Sequence, residues 1–306
     1  MEGAFVLPFN PPRPPPLNAR NPVGRGPPRG GLVGFCGAAA PAGPGRTFAR
    51  MPSVSSARQK SIYYLRQATR LALQVGAALF LASVAWVLVY RWVAPPATWL
   101  MLDRRAHAPV GLGYYGIQGE GARHIRYRFR TLDEVAPTVP LALVAAEDQR
   151  FLIHHGFDVD ALVHAAKRNW NGDGKHIVGG STISQQVAKN VFLWQGRSYV
   201  RKAAEAYFTV LIETLWSKRR IMEMYLSVAE MGDCTFGVEA ASERYFHKSA
   251  DRLTAPEAAL LAGVLPNPLR FRASDPGPVA RAKQLRVLRN MRRLGGTAYV
   301  AEITGE

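Results

Sequence analysis

Beyond Pro140 the chain repeats apolar residues with the 3.6-residue period of amphipathic helices, while ahead of it lies one apolar block with no period at all. That block, "RLALQVGAALFLASVAWVLVYRWV", runs uncharged from Leu71 to Tyr90 with only Gln74 strongly polar, long enough to cross roughly 30 Å of hydrocarbon. Tyr90 and Trp92 stand where interfacial aromatics belong. A signal peptide is the rival reading, but the run exceeds the usual length of about 7–15 residues, and "VAPPATW" offers no clear small-x-small cleavage site. The pattern predicts an uncleaved transmembrane helix over residues 71–93.

The periodic part predicts a succession of helices. "LALVAAEDQRFLI" (141–153) is the first, and "DVDALVHAAKRNW" follows with Asp158 as N-cap. "TISQQVAKNVFL" opens on a capping box, Thr182 with Gln185. "YVRKAAEAYFTVLIETLW" and "KRRIMEMYLSVAEMG" come next, separated at Ser217. "VEAASERYFH" precedes "TAPEAALLAGVL", which Thr254, Pro256 and Glu257 open and "PNP" at 266–268 stops. An arginine-rich helix from about Val279 to Leu294 ends the fold. Residues 94–135 read as a connector with short extended pieces such as "IRYRFRTL". The fold class expected is all-α, a domain over 136–306 behind one membrane helix.

Charge changes the picture less than its size suggests. The formal net charge of +17 over 306 residues would suit nucleic acid if it covered one folded face. Instead, residues 1–70 carry ten Lys or Arg against the single acid Glu2. The first 50 residues also hold 11 of the 22 prolines and few large apolar groups, so 1–70 reads as a disordered basic tail, with Met51 an alternative start. Arg58, Lys60, Arg66 and Arg70 precede the apolar block and only Arg91 follows closely, which predicts a cytoplasmic N-terminus and an exported domain. Cys36 and Cys234 then lie on opposite sides of the membrane and cannot pair, no metal-binding Cys/His spacing exists, and no nucleic-acid partner is expected.

Three stretches hold candidate chemistry. On a helical period Val144, Glu147, Phe151 and His154 share one stripe, which puts a carboxylate on an apolar face. Glu147 is either a residue at the edge of the core or a carboxyl whose pKa burial lifts, as a general acid or base requires. Arg201 and Glu205, four apart, are either a surface ion pair or, since Phe208 and Ile212 continue their stripe, a pair turned toward packed structure. In "GGSTISQQVAKN", Gly179 and Gly180 permit close approach ahead of a helix N-terminus, while Gln186, Lys189 and Asn190 share one face and suit an anionic ligand. His154 and His155 are ligands, bases or ordinary core histidines.

Taken together, "EDQRFLIHHG", "GGSTISQQVAKN", "RKAAEAYFTVLIE" and "KRRIMEMYLSVAEMG" resemble the successive motifs of the peptidoglycan glycosyltransferases, family 51 of the glycosyltransferases. The resemblance spans residues 136–272, and "FGVEAASERYFHKSA" with "LLAGVLPNPLRF" is similar to the monofunctional biosynthetic branch. Ser227 departs from it, standing where the family usually has Asn, which puts a local hydrogen bond in question.

The resemblance implies a lysozyme-like helical fold in the bacterial inner membrane, with a periplasmic domain whose smaller lobe touches the bilayer; Trp170 and Trp194 are candidates for that contact. It implies lipid II and a growing glycan chain as substrates, joined β-1,4 with inversion. Glu147 matches the catalytic base on the acceptor 4-hydroxyl, and Glu205 the second catalytic glutamate, which orients the leaving group or a divalent ion. Lys189 and Arg201 match the residues that hold the pyrophosphate, and Asp148, Ser181 and Gln186 those that shape the site. Mg2+ or Mn2+ would come only with the pyrophosphate. Neither Ser-x-x-Lys nor Lys-Thr-Gly occurs, so cross-linking is expected to fall to separate transpeptidases among other cell-wall proteins. Two rival readings remain, a lysozyme-like lytic enzyme and a membrane-anchored scaffold.

Overall fold

The computed structural model describes residues 54–106, 124–171, 180–196 and 198–305. The side chains of 54–57, 166 and 168–171, and thus that of Trp170, fall outside the description, as do Cys36 and Gly179. The chain divides into two units, residues 1–61 and 62–306, and of the first only the opening turns of one helix are described. That helix, α1, is Val54–Trp92, so it begins well before the apolar block. Its apolar stretch is almost wholly uncovered by protein, which distinguishes it from a core helix and fits a membrane span.

The domain is mostly helical, as its periodicity predicts. α2 (Trp99–Ala106) falls in the connector, where no helix is expected from the sequence. α3 (Thr138–Glu147), α4 (Val159–Asn171), α5 (Ile183–Phe192), α6 (Tyr199–Leu215), α7 (Lys218–Val228), α8 (Val238–Phe246), α9 (Ala255–Val264) and α10 (Pro278–Arg293) follow the predicted segments. A last helix, α11 (Ala298–Thr304), lies beyond the point where the sequence places the end of the fold. Both expected capping boxes form, at Thr182 with Gln185 and at Thr254 with Glu257, and Asp158 accepts the Ala161 N–H at 2.9 Å.

One helix is shorter than predicted. α3 ends at Glu147 and not near Ile153, because Asp148 leaves helical geometry (φ −156°, ψ 78°). Its carboxylate is drawn into the protein to accept the Ile183 N–H at 3.0 Å. Phe151 and His154 are buried by the turns that follow, so the sequence stripe is a coincidence of two structures and not one helix face.

Two helix groups build the core. α3 and α9, apolar on nearly every side, pack on each other and on α10, while α5, α6 and α7 form the second group. A small sheet, absent from the all-α expectation, ties the connector to them: β1 (Arg126–Tyr127), β2 (Glu230–Gly232) and β3 (Thr235–Phe236) lie in the order β1-β3-β2. Beside it Ser227 Oγ accepts the Arg130 N–H and donates to the Arg130 carbonyl, both at 3.1 Å, so the local bond questioned at this position is supplied by serine. Gly237 (φ 82°) opens α8 against Ser227, whose carbonyl oxygen a Cβ would approach to 2.4 Å.

The end of α1 is packed into the second helix group. Phe192 of α5 stacks on Phe208 of α6, centroids 4.8 Å apart and planes 2° apart. Trp86 sets its ring edgewise against both, at 5.3 and 6.3 Å. Ser83 bonds Tyr207 at 2.6 Å, Trp216 Nε1 donates to the Val87 carbonyl at 2.9 Å, and Arg220 donates to the carbonyls of Tyr90 and Val93, orphans of the helix end. Trp86→Ala removes three aromatic contacts, with Phe192, Phe208 and Tyr90, each worth about 0.5–1.5 kcal/mol. The expected outcome is a lower Tm in detergent and faster protease cleavage between residues 93 and 98, measured against the intact chain.

Candidate active site

The turn at Asp148 places the C-terminus of α3 beside the N-terminus of α5. Thr182 caps α5, and its hydroxyl also donates to the Gly156 carbonyl at 2.6 Å, which fixes the loop between the helices. Gly156 (φ 85°) cannot carry a side chain there, since a Cβ would stand 2.7 Å from Thr209 Cγ2. His154 Nε2 meets both Asp148 oxygens, at 2.9 and 3.0 Å. Asp148 is therefore turned inward, occupied by the backbone of α5 and an imidazole, and acts on the site by holding its two helices together.

Glu147, the last residue of α3, is half-buried and points at α5. Its Oε2 accepts from Gln186 Nε2 at 2.7 Å, and Gln186 Oε1 accepts from the hydroxyl of the fully buried Tyr225 at 3.3 Å. This relay fixes one carboxylate oxygen of Glu147. Burial pushes the Glu147 carboxyl above the usual range, opposed by the Gln186 bond and by the charges of Lys283 and Lys189, while Asp148 adds to the rise.

Lys189 stands one turn beyond Gln186 on α5. Burial pushes its ammonium down, Glu205 and Glu147 act to restore it, and Arg201 and Lys202 oppose them. Both glutamates thus act on this one lysine. Glu205 is 3% exposed, with one oxygen on Arg201 Nη1 at 3.1 Å and the other on Lys202 Nζ. The i,i+4 pair is therefore the inward-facing alternative of the two readings. Arg201 keeps its buried Nε without a hydrogen-bond partner among the described residues. Lys189, Arg201 and Lys202 against Glu205 leave excess positive charge, of which that of Lys189 acts on Glu147.

Ser181 is exposed at the mouth of a cleft of about 340 Å³, lined also by Glu147, Arg150, Asp158, Gly180 and Thr182. Glu147, Gln186, Lys189, Arg201 and Glu205 thus form one electrostatically connected group, Ser181 lies at its edge, and Asp148 lies behind it. Trp194 is exposed, whereas His155 takes no part in the group. Among the described residues no three His, Cys, Asp or Glu side chains gather as a metal would require, and Glu205 is already occupied by two cations, so the donor set does not fit a resident divalent ion.

Sequence reasoning passed over three contributors. Lys202 was within reach, being three residues from Glu205 on a helix. Tyr225 and Lys283 reach the site from α7 and α10, which no local pattern ties to Glu147.

Comparison with known proteins identifies the family. Residues 117–292 match the Transglycosylase family. A biosynthetic peptidoglycan transglycosylase of Xanthomonas campestris pv. campestris (strain B100) is 48% identical over 219 residues, covering 72% of this chain and 85% of that protein. Proteins of the same description from Cronobacter sakazakii (strain ATCC BAA-894) and Xylella fastidiosa (strain 9a5c) are 47% and 44% identical, covering 76% and 79% of this chain and 93% and 96% of their own length. With the family matched over residues 117–292 and relatives matched over most of their length, the chain belongs to the transglycosylase family of peptidoglycan synthesis.

Proposed function

We propose that this chain polymerises lipid II into linear β-1,4-linked glycan strands with inversion, releasing polyprenyl pyrophosphate. One observation carries the reading. A half-buried carboxylate held by Gln186 is acted on by the charge of Lys189, an ammonium that a second, fully paired carboxylate also acts on. The acceptor 4-hydroxyl of one lipid II attacks the anomeric carbon of the growing chain, its proton passing to Glu147. The new C–O bond forms as the bond from the anomeric carbon to the pyrophosphate oxygen breaks. A base on the attacking face and charge stabilisation on the leaving face are what inversion requires.

Lys189 and Arg201 meet the negative charge that grows on the departing pyrophosphate. Glu205 keeps Arg201 and Lys202 in place for that task. A lytic enzyme on the same fold has no need of three cations around a second glutamate, so the cluster favours the polymerase. Ser181 and Asp148 shape the acceptor side of the cleft, the latter through the position of α5.

α1 anchors the enzyme where its lipid substrate lives and raises their effective concentration on one surface. Its basic N-terminal flank places the tail in the cytoplasm and the domain in the periplasm of the inner membrane. The product is uncross-linked, and separate transpeptidases complete the wall.

Full-length protein given lipid II is expected to yield polymer on gel electrophoresis, and Glu147→Gln to lower the rate by about 10²–10⁴-fold, the usual share of a general base. Shortening of preformed glycan in place of polymer would show the lytic reading to be the right one. The same substitution has an effect on stability. A carboxyl whose folded pKa is raised contributes stability that is present below its unfolded pKa and lost as pH rises through the folded value. Glu147→Gln is therefore expected to raise Tm at pH 8 relative to wild type and to leave it nearly unchanged at pH 4, in paired thermal melts.

A further inference from the structure

A carboxylate that is to take a proton must first be without one, and burial opposes that. Around Glu147 two amines counter the burial, Lys189 of α5 and Lys283 of α10. They are not equivalent. Lys189 shares its charge with Glu205 and stands among Arg201 and Lys202, on the side where the pyrophosphate is proposed to sit. A diphosphate arriving there engages Lys189 and brings negative charge of its own toward Glu147. The ionised base is therefore least supported at the moment it is needed.

Lys283 comes from a different element and is placed by contacts of its own. α10 is pinned to α3 by Asn290, whose Nδ2 donates to the Ala145 carbonyl at 3.0 Å, two residues before Glu147. α10 also lies tight on α9 at Gly263, where a Cβ would come within 3.3 Å of Gln284 N and 3.4 Å of Lys283 Cβ. Seven residues ahead of Asn290, and so on the same helix face, Lys283 holds its ammonium 4.3 Å from the centre of the Phe271 ring. Among the described residues no carboxylate comes within ion-pair distance of it. Glu147 and Arg286 are the charged groups that act on Lys283. Those that act on Glu147 are Lys283 from α10, Lys189 from α5 and its neighbour Asp148, with Gln186 and Tyr225 completing its surroundings from α5 and α7.

We propose that Lys283 is a positioning residue whose charge keeps Glu147 ionised while the cations of α5 and α6 are engaged by the substrate pyrophosphate. The aromatic ring and the close α9–α10 packing fix the ammonium on the face of α10 that Asn290 ties to α3 two residues before Glu147, without giving it, among the described residues, a carboxylate partner of its own. The proposal rests on Glu147 being the base.

The test is the pH dependence of lipid II polymerisation by the full-length protein in detergent, from about pH 5 to 9, for wild type, Lys283→Met, Lys283→Gln, Lys283→Arg and Glu147→Gln. Removing the charge at 283 is expected to move the acid limb of kcat upward by about one pH unit, within the range of one nearby opposite charge. On that limb the rate falls about tenfold, and it returns to the wild-type plateau at high pH with KM little changed. Lys283→Arg keeps the wild-type limb, and the Gln variant stands in should the Met variant unfold. An acid limb that stays in place, a loss that is equal at all pH, or an Arg variant shifted like the neutral ones would overturn the proposal. Activity retained by Glu147→Gln would instead overturn the assignment of the base, whatever the variants at 283 do.

Discussion

The geometry of the site depends on one buried carboxylate, that of Asp148. Asp148 takes the N–H of Ile183 and the imidazole of His154, and by doing so it ends one helix and begins another at the same point in space. Glu147 precedes it by one residue and Gln186 follows Ile183 by three, so their hydrogen bond is a consequence of that junction. Charge at the first turn of α5 suits the helix dipole, and a buried acceptor there satisfies a donor that the helix cannot. Without the junction, the acid end of α3 and the basic face of α5 would have no fixed relation.

Around that joint the protein accumulates charges that it would be more stable without. Glu147 is raised and Lys189 lowered by the same cause, loss of water. Glu205 is buried with two cations on it, an arrangement in which Coulomb attraction does little more than offset desolvation. Such a cluster adds little to stability. The apolar helices α3 and α9 supply the stability elsewhere, where nearly every position is buried.

Much of this was legible in the sequence, and the rest was not for definite reasons. Helices α4 to α10 follow from periodicity and caps, because those signals are local. Glu147, Arg201 and Glu205 stood out as charged groups on apolar stripes, and Lys189 as sharing a polar face with Gln186 and Asn190. The end of α3 was missed because its cause, Asp148 reaching residue 183, is a tertiary bond. β1 lies in the connector stretch expected to be extended, whereas β2 and β3 were missed because strands of two or three residues are too short to show alternation. Lys283 was invisible for the opposite reason. It is one of many basic residues on α10, and only packing against α9, Phe271 and α3 separates it from its neighbours.

The docking of α1 has a mechanical consequence. A helix fixed to its domain by packed rings and by hydrogen bonds at three of its carbonyl and hydroxyl groups cannot spin independently of it. Anchor and domain turn about the bilayer normal as a single rotor. The cleft therefore keeps one fixed relation to the axis of the anchor.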